Sequence, residues 1–345
     1  MNKPIVLILC GGKSLRLWPL SEYKSKNFLD IFGFLPLDIT VKRFLEITPL
    51  ENIFLVTNKK EKDTFEKLKI IKRENIFFEP ESKNTAAAIL FSIFHLKKIL
   101  KKDNILIISP VDHIIKEETK FYSAINKAID IAKKSYISTL GITPQKAVID
   151  FGYIEAKKEI ENNVFSIKTF IEKPSRIKAQ EFIKKGNSFY NSGIFISLIS
   201  TLEKEYKKYY KNYNDFLKVF KNKINDELIS SLYKKLPDIP FDLAIMEKTK
   251  RGALIKGEFF WRDFGNWQAI YDILDKDKDK NVKKAIGYLY GSENNFIYVD
   301  NPNKKILALG IKDIFFIDTE NYTLLANRAY LENLKIAIKD FKEKI

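Results

Sequence analysis

The chain has 345 residues, 45% of them hydrophobic, so it is long enough for a large domain, a smaller one and a sizeable core. Its apolar runs fall short of the roughly 18 residues that a membrane-spanning helix needs, and Lys13 and Arg16 interrupt the first run too early for a signal peptide. A single cysteine, Cys10, excludes an internal disulfide and a cysteine-based zinc site. We therefore expect a cytoplasmic protein that does not bind membranes.

The net charge of +16 raises nucleic-acid binding as one interpretation. Only seven of the basic residues are arginines, and the lysines are scattered without a dense stripe interleaved with aromatic residues. This pattern favours a solvated lysine surface, and we expect no nucleic-acid partner. The charge would still attract polyphosphate substrates.

The first half of the chain alternates strand-like and helix-like segments, which is typical of an α/β fold. The apolar run from Ile5 to Cys10 predicts a buried strand that ends at Gly11 and Gly12. Further strands are predicted at 53–57, 76–78 and 105–109, with a helix up to about residue 71 and another over 84–101 that Asn84 and Thr85 would cap.

The second half has more polar loops between its strands. Strands are predicted at 136–141, 152–156, 164–171 and 193–197, followed by one long helical stretch over 200–236. Short strands at 295–300, 305–309, 314–318 and 322–326 and a helix over 331–344 then predict a small β-rich tail. We place the domain boundary at residue 280, which gives domains 1–280 and 281–345.

The glycine pair after the first strand is a candidate phosphate-binding turn. A strand that opens into two glycines and a basic residue can bring bare backbone N–H groups against phosphate oxygens. The spacing matches neither the dinucleotide fingerprint nor the P-loop, and a simple turn between a strand and a loop is the alternative.

The residue types available for catalysis narrow the chemistry. His95 and His113 are the only histidines, and His95 falls inside a predicted amphipathic helix, where a structural role is expected. Carboxylates, lysines and arginine remain, and this set suits nucleotidyl transfer, in which positioning and charge neutralisation supply most of the catalysis. Asp112 and His113 follow a predicted strand, where open α/β sheets place their chemistry.

Eight short segments carry a resemblance to one family, in the same order and at similar spacing. They are 9–21 with Lys26, 79–86, 110–113, 152–155, 170–174, 191–193, 242–248 and 261–267. Together they resemble the mannose-1-phosphate guanylyltransferases. The resemblance implies a Rossmann-like mixed-sheet nucleotidyltransferase domain, an α/β/α sandwich, with a small β-helix-like C-terminal domain. It also implies synthesis of GDP-mannose and pyrophosphate from GTP and mannose 1-phosphate, with Mg²⁺ as cofactor.

The resemblance assigns roles to residues around the nucleotide. Arg16 and Lys26 would neutralise the charge on the α-phosphate and the departing pyrophosphate. Asp112 and Asp263 would hold Mg²⁺ through oxygen ligands. The remaining nucleotide-binding candidates are Cys10, Gly11, Gly12, Lys13, Glu79, Asn84, Thr85 and Pro110. Either Glu79 or Glu81 could read guanine, because a carboxylate can accept both its N1–H and its amino group; Asn84 and Thr85 are equally explained as helix caps.

The sugar phosphate would bind to a second set of residues. Lys173 would steer its phosphate, Glu172 and Asn191 would hydrogen-bond the sugar hydroxyls, and Gly152 and Tyr153 would line the pocket. The phosphate monoester has a second pKa of about 6 and is already largely a dianion at neutral pH, so it needs no general base.

Other functions remain open at this point. The chain could act on another sugar 1-phosphate, such as a different hexose or a heptose, or use another nucleotide, because Ser14 and Leu15 replace the Gly-Thr usual in the family's turn. A non-catalytic nucleotide-binding regulatory subunit is an alternative of a different class. The β-rich tail is a candidate contact for a homodimer.

Overall fold

The computed structural model describes residues 3–12, 14–221 and 226–344. The strands are β1 (Ile5–Leu9), β2 (Ile53–Asn58), β3 (Ile76–Glu79), β4 (Ile105–Pro110), β5 (His113–Lys116), β6 (Ile137–Ile142), β7 (Tyr153–Glu161), β8 (Val164–Ile171), β9 (Ser188–Leu198), β10 (Gly252–Gly257), β11 (Phe260–Asp263), β12 (Val282–Lys284), β13 (Ile286–Tyr290), β14 (Phe296–Val299), β15 (Lys305–Leu309), β16 (Ile314–Asp318) and β17 (Thr323–Asn327). The α-helices are α1 (Leu20–Tyr23), α2 (Pro36–Leu45), α3 (Lys62–Phe65), α4 (Thr85–Ile99), α5 (Glu118–Lys133), α6 (Arg176–Lys185), α7 (Ile199–Tyr209), α8 (Tyr213–Lys221), α9 (Asp226–Lys234), α10 (Trp267–Ile273) and α11 (Leu334–Lys344).

The chain divides into two compact units. The first consists of Met1–Gly12, Thr40–Val111 and Ile115–Trp261, and the second of Lys13–Ile39, Asp112–Ile114 and Arg262–Ile345. This division differs from the boundary expected at residue 280, because Leu17 and Trp18 pack in the same hydrophobic core as Phe296 and Phe315. The assignment of 1–280 and 281–345 as domains stays a prediction.

A nine-stranded mixed sheet organises the first unit, in the order β3-β2-β1-β4-β9-β6-β10-β8-β7. The strands β3, β2, β1 and β4 are parallel, and β9 runs antiparallel to both β4 and β6. The chain order reverses between β1 and β4, and open α/β sheets bind ligands outside the carboxyl ends of their strands at such a switch point. The glycine pair lies at this place, one residue after the end of β1.

Helix α4 packs against β1, β2 and β3 and is buried around most of its circumference. It begins where predicted, because the Asn84 side chain accepts a hydrogen bond from the Thr85 N–H at 3.0 Å and satisfies one free donor of the first turn. The His95 ring stacks on Phe77 and lies tilted against Phe91, with ring centroids at 5.1 and 4.4 Å, as expected for a structural role. This packing fixes β3 and its last residue, Glu79.

Several predicted elements differ in length or number. The helix expected up to residue 71 ends at Phe65, and the helical stretch expected over 200–236 contains α7, α8 and α9. The left-handed backbone of Asn212, with φ of 64°, separates α7 from α8. Strand β10 lies inside the sheet although its short run between Gly252 and Gly257 was not predicted.

The second unit contains the β-rich tail. Parallel pairs join β12 to β14, β14 to β16 and β13 to β15, so the chain coils with one strand stacked on another. Buried asparagines hold successive turns together: the Asn295 amide donates to Asn281 Oδ1 at 2.9 Å, and Asn295 Oδ1 accepts from the Ile314 N–H at 2.9 Å. This arrangement confirms the expected β-helix-like tail, with α11 at its end. Strands β12 and β13 were not predicted.

Candidate active site

The turn after β1 is formed by Cys10, Gly11 and Gly12. The Cys10 side chain is buried and its N–H donates to the Val56 carbonyl at 2.9 Å, which ties the start of the turn to β2. Gly12 has a φ of 100°, which L side chains rarely adopt. Lys13, a predicted nucleotide-binding residue, lies outside the described residues.

Glu79, at the end of β3, lies against this turn. A Cβ added to Gly11 would lie 3.5 Å from Glu79 Oε1, so the glycine leaves room beside the carboxylate. The Tyr233 hydroxyl donates a hydrogen bond to the other carboxylate oxygen, Oε2. Burial raises the pKa of Glu79 to about 7, although the Tyr233 hydrogen bond opposes the rise. Glu81 is instead paired with Lys234 at 3.3 Å.

Asn84 and Thr85 are engaged in structural contacts at the start of α4. The Asn84 side chain caps the helix, and the Thr85 hydroxyl oxygen accepts a hydrogen bond from the Phe241 N–H at 2.8 Å. The Asn84 N–H donates to Asp238 Oδ1 at 3.0 Å. The helix-cap explanation therefore accounts for the Asn84 side chain, whereas the Thr85 hydroxyl joins α4 to the distant segment at Phe241. A nucleotide contact of either residue stays a prediction.

Asn191, on β9, is the centre of a polar cluster further along the sheet. Its amide nitrogen donates to Asp242 Oδ1 at 2.7 Å, and its amide oxygen accepts from the Thr139 hydroxyl at 3.1 Å. Asn191 is 8% exposed, so both groups act in a site largely closed to water. Burial, then the negative charge of Glu172, raises the pKa of Asp242.

Glu172 and Lys173 follow β8 and belong to the same cluster. The Glu172 N–H donates to Glu247 Oε1 at 3.0 Å, and Lys173 Nζ lies 2.9 Å from Glu172 Oε1. Lys173 has a φ of 47°, a conformation that costs free energy in a non-glycine residue and is found disproportionately at functional sites. A Cβ on Gly152 would lie 2.8 Å from Glu172 Oε2, so a larger residue here would require this carboxylate to shift.

Tyr153 is placed differently from the prediction that it lines a pocket. Its side chain is fully buried in a small core with Phe182 and Tyr190, and its hydroxyl oxygen accepts from the Val148 N–H at 3.0 Å. Successive side chains of a strand point to opposite faces, so the residue after Gly152 turns away from Glu172.

Asp242 and Glu247 are site residues to which sequence reasoning gave no role. Both lie in the quoted segment 242–248, and Asp242 begins a π-helical turn, Asp242–Met246. Such turns are rare and frequently occur at functional sites. The segment is one of the eight motifs of the sequence, but only the fold brings it beside Asn191 and Glu172.

The second unit holds the predicted phosphate and metal residues. Lys26 Nζ lies 2.8 Å from Asp112 Oδ2 in a largely buried ion pair. Burial opposes ionisation of Asp112, but the charges of Lys26 and His113 and the hydrogen bonds to the carboxylate together outweigh it and hold the pKa of this carboxyl below its usual value. The Phe264 N–H donates to the Asp112 carbonyl at 2.6 Å, which ties the backbone beside Asp263 to Asp112.

Gly265 leaves a small cradle next to Asp263. A Cβ at Gly265 would lie 2.8 Å from Asp263 Oδ2 and 3.7 Å from Arg16 Nη2, so two predicted site residues border this space. The Ser14 hydroxyl donates to the Gly265 carbonyl at 3.4 Å. Lys26, Asp112, Asp263 and Arg16 therefore all belong to one compact unit.

Known proteins with similar sequences identify the family of this chain. The family model for nucleotidyl transferases matches residues 5–280. The chain belongs to the nucleotidyl transferase family. It is 32% identical to mannose-1-phosphate guanylyltransferase 2 of Escherichia coli O157:H7, over 98% of this chain and 73% of that protein. It is 29% identical to a putative mannose-1-phosphate guanylyltransferase of Vibrio cholerae, over 98% of this chain and 74% of that protein.

A solved structure supports the fold of this nucleotidyl transferase over its whole length. A Thermus thermophilus protein described as a mannose-1-phosphate geranyltransferase aligns with a TM-score of 0.88, covering 99% of this chain and all of that one, at 24% identity. The predicted membership of the mannose-1-phosphate guanylyltransferase family is confirmed, and so is the prediction of an enzyme. The relatives therefore favour an enzyme over a non-catalytic regulatory subunit.

The part of the chain that the structure describes contains neither a metal-binding cluster of three or more side chains nor a membrane-spanning helix. Residues 3–12, 14–221 and 226–344 hold no group of three or more histidine, cysteine, aspartate or glutamate side chains placed to bind a metal ion. In the same ranges, none of the helices has the length and apolar character required to cross a membrane.

Proposed function

We propose that this nucleotidyl transferase transfers a guanylyl group from GTP to mannose 1-phosphate, giving GDP-mannose and pyrophosphate. The observation that carries the nucleotide assignment is the buried Glu79 carboxylate, which lies beside the glycine turn at the switch point of the sheet. Guanine presents an N1–H and an amino group side by side, and one ionised carboxylate can accept both. The names of the relatives at about 30% identity support the same nucleotide and sugar.

The acceptor phosphate is the nucleophile in this proposal. At neutral pH the monoester is largely a dianion, so attack on the α-phosphorus of GTP requires no proton transfer. Lys173 is 56% exposed at its side chain and can turn its ammonium group from Glu172 to an incoming phosphate. It supplies positive charge and orientation, and the bond to pyrophosphate breaks as the new P–O bond forms.

The sugar hydroxyls would be read by the Asn191 cluster. Glu172 and Asp242 offer carboxylate oxygens as acceptors, and the fixed amide of Asn191 holds Asp242 in place. Because Asp242 is already hydrogen-bonded to the largely buried Asn191, and Glu172 is paired with Lys173, these acceptors can discriminate between hydroxyl positions with little rearrangement. Tyr153 would support this pocket from its core, without contact to the sugar.

The charge of the triphosphate would be balanced by Mg²⁺ and two basic residues. Asp112 and Asp263 offer the oxygen donors that Mg²⁺ prefers, and the space beside Gly265 borders the Asp263 carboxylate. Mg²⁺ is usually held by one or two carboxylates together with substrate phosphates, which fits a pair of aspartates. Bound there, Mg²⁺ would polarise the α-phosphate. Arg16 and Lys26 would stabilise the charge on the leaving pyrophosphate.

A cytoplasmic location and a homodimer are part of the same proposal. The single cysteine, which is buried, suits a reducing compartment. The substrates are GTP and mannose 1-phosphate, with neither a nucleic acid nor a membrane among the partners. Sedimentation of the purified protein measures the oligomeric state.

A substrate panel tests the proposal. Pyrophosphate release is measured with GTP, ITP, ATP, CTP and UTP, each against mannose, glucose and galactose 1-phosphates and a heptose 1-phosphate. We expect turnover to be highest with GTP and mannose 1-phosphate, and no turnover with that pair would overturn the assignment. Asp263→Ala is expected to abolish pyrophosphate release while part of the nucleotide binding survives, and unchanged turnover would contradict the metal role.

A further inference from the structure

The Tyr233 hydroxyl makes a long-range contact with the proposed base-reading carboxylate. Tyr233 lies on α9, 154 positions after Glu79 in sequence, and donates a hydrogen bond to Glu79 Oε2. Its side chain is fully buried, with ring centroids 5.6 Å from Phe91 and 6.1 Å from Phe216. The phenol is therefore held by packing on two sides, and its hydroxyl has a fixed direction.

The two oxygens of the Glu79 carboxylate have different neighbours. Oε2 accepts from Tyr233, whereas Oε1 lies on the side of Gly11, at the turn that follows β1. Glu79 is only 2% exposed, so water cannot replace the tyrosine as a donor to Oε2 without a rearrangement of the core. Each oxygen has two lone pairs, and after the tyrosine bond the carboxylate still has free acceptor capacity.

We propose that Tyr233 is a positioning residue for recognition of the nucleotide base, acting through Glu79. The hydroxyl locks the carboxylate in one rotamer, presents Oε1 at the glycine turn and favours the ionised form, which accepts two hydrogen bonds from one guanine edge. This inference rests on the proposed function, in which Glu79 reads guanine. Loss of the hydroxyl weakens the binding of guanine nucleotides and leaves the transfer step itself intact.

The charged and titratable groups around Glu79 should make GTP binding depend on pH. Burial raises its pKa to about 7, the Tyr233 hydrogen bond lowers it, and the negative charge of Asp238 raises it. Tyr206 and Tyr210, from the α7 side, face Tyr233. Protonation turns one carboxyl oxygen into a donor, which then opposes the donors of guanine. Removing the tyrosine hydroxyl therefore moves the acid limb of GTP binding to higher pH.

Kinetics of Tyr233→Phe test this role. The phenylalanine keeps the ring contacts and removes only the hydroxyl. We expect KM for GTP to rise about 3-fold to 10-fold, kcat to change less than 2-fold, and the acid limb of kcat/KM for GTP to shift upward in pH. Tyr210→Phe is the matched control, because this buried tyrosine donates to the Pro237 carbonyl at 2.7 Å and not to Glu79. We expect it to leave KM and the pH profile unchanged.

Glu79→Gln separates this inference from the proposed function. If Glu79 reads guanine, the glutamine variant loses at least 10-fold of its preference for GTP over ATP and ITP, and Tyr233→Phe adds no further loss in that background. Unchanged base preference in Glu79→Gln would overturn the role of Glu79 and the inference together. If Glu79→Gln loses its base preference but Tyr233→Phe keeps the KM for GTP and the acid limb of the wild type, only the positioning role of Tyr233 is overturned. Tyr233→Leu, checked for folding by circular dichroism, provides a second variant and must show the same shift of the acid limb.

Discussion

The amide of Asn191 donates a hydrogen bond of 2.7 Å to Asp242, a carboxylate 51 positions later in the chain. The bond joins β9 to the π-helical turn that begins at Asp242. The segment just before Asp242 also reaches the start of α4, where the Phe241 N–H donates to the Thr85 hydroxyl oxygen at 2.8 Å. One short segment thus connects the cap of α4, near Glu79, with the proposed sugar cluster.

Asp242 should contribute to both stability and sugar binding. Asp242→Ala leaves the buried Asn191 amide without its acceptor, and we expect the free energy of unfolding to fall by about 1–3 kcal/mol in urea denaturation. Asp242→Asn is the matched control, since its oxygen can still accept from Asn191. We expect the asparagine variant to keep most of the stability but to have a higher KM for mannose 1-phosphate than the wild type. Equal stability of the alanine variant and the wild type would contradict the role of this hydrogen bond.

Gly152→Ala should displace the Glu172 carboxylate, because the added Cβ would lie 2.8 Å from Oε2. We expect KM for the sugar phosphate to rise about 10-fold, equivalent to about 1.4 kcal/mol, with KM for GTP unchanged. Gly252→Ala is a suitable control: it crowds the Ile167 side chain, with a Cβ 3.0 Å from Cδ1, and not a carboxylate. Parallel changes in both variants would show that Glu172 is not responsible. Steady-state kinetics with each substrate varied in turn provides the measurement.

The Lys26–Asp112 ion pair should be required for catalysis. Lys26→Ala removes the cation that holds the pKa of Asp112 low and that is proposed to neutralise the triphosphate. Loss of such a preorganised charge typically lowers kcat by about 10²–10³-fold, and this is the range we expect. Lys24→Ala, at an exposed lysine two positions earlier, should leave kcat unchanged. A pyrophosphate-release assay compares the two variants, and a fully active Lys26→Ala enzyme would rule out the role of Lys26.

Glu79 should make the stability of the fold depend on pH. Its pKa is raised from 4.5 to about 7 in the folded protein, so the folded state binds a proton that the unfolded state has already released. The associated stabilisation is complete below about pH 4.5 and is lost as the pH rises through about 7. The loss is about 3 kcal/mol in the free energy of unfolding. Denaturation at several pH values, compared with Glu79→Gln, should show a difference that changes over this range, whereas a constant difference would contradict the raised pKa.

The sequence by itself determined the α/β class, the position of β1 and its glycine turn, the cap of α4 and the family. These features depend on residues close together in the chain: an apolar run between breakers, Asn84 before an apolar helix, and short motifs in a fixed order. The sequence also indicated the reactive residue types, because a chain with two histidines must rely on carboxylates, lysines and arginines for its chemistry.

Only the tertiary structure decided which side chains meet. Tyr233 contacts Glu79, and Asp242 contacts Asn191, because a nine-stranded sheet and the helices on it bring distant segments together. It also decided that Tyr153 enters a core, because the face that a strand residue takes depends on register and not on the motif around it. In the same way, Leu17 and Trp18 joined the core of the tail, since burial of apolar surface depends on proximity in space and not on position along the chain.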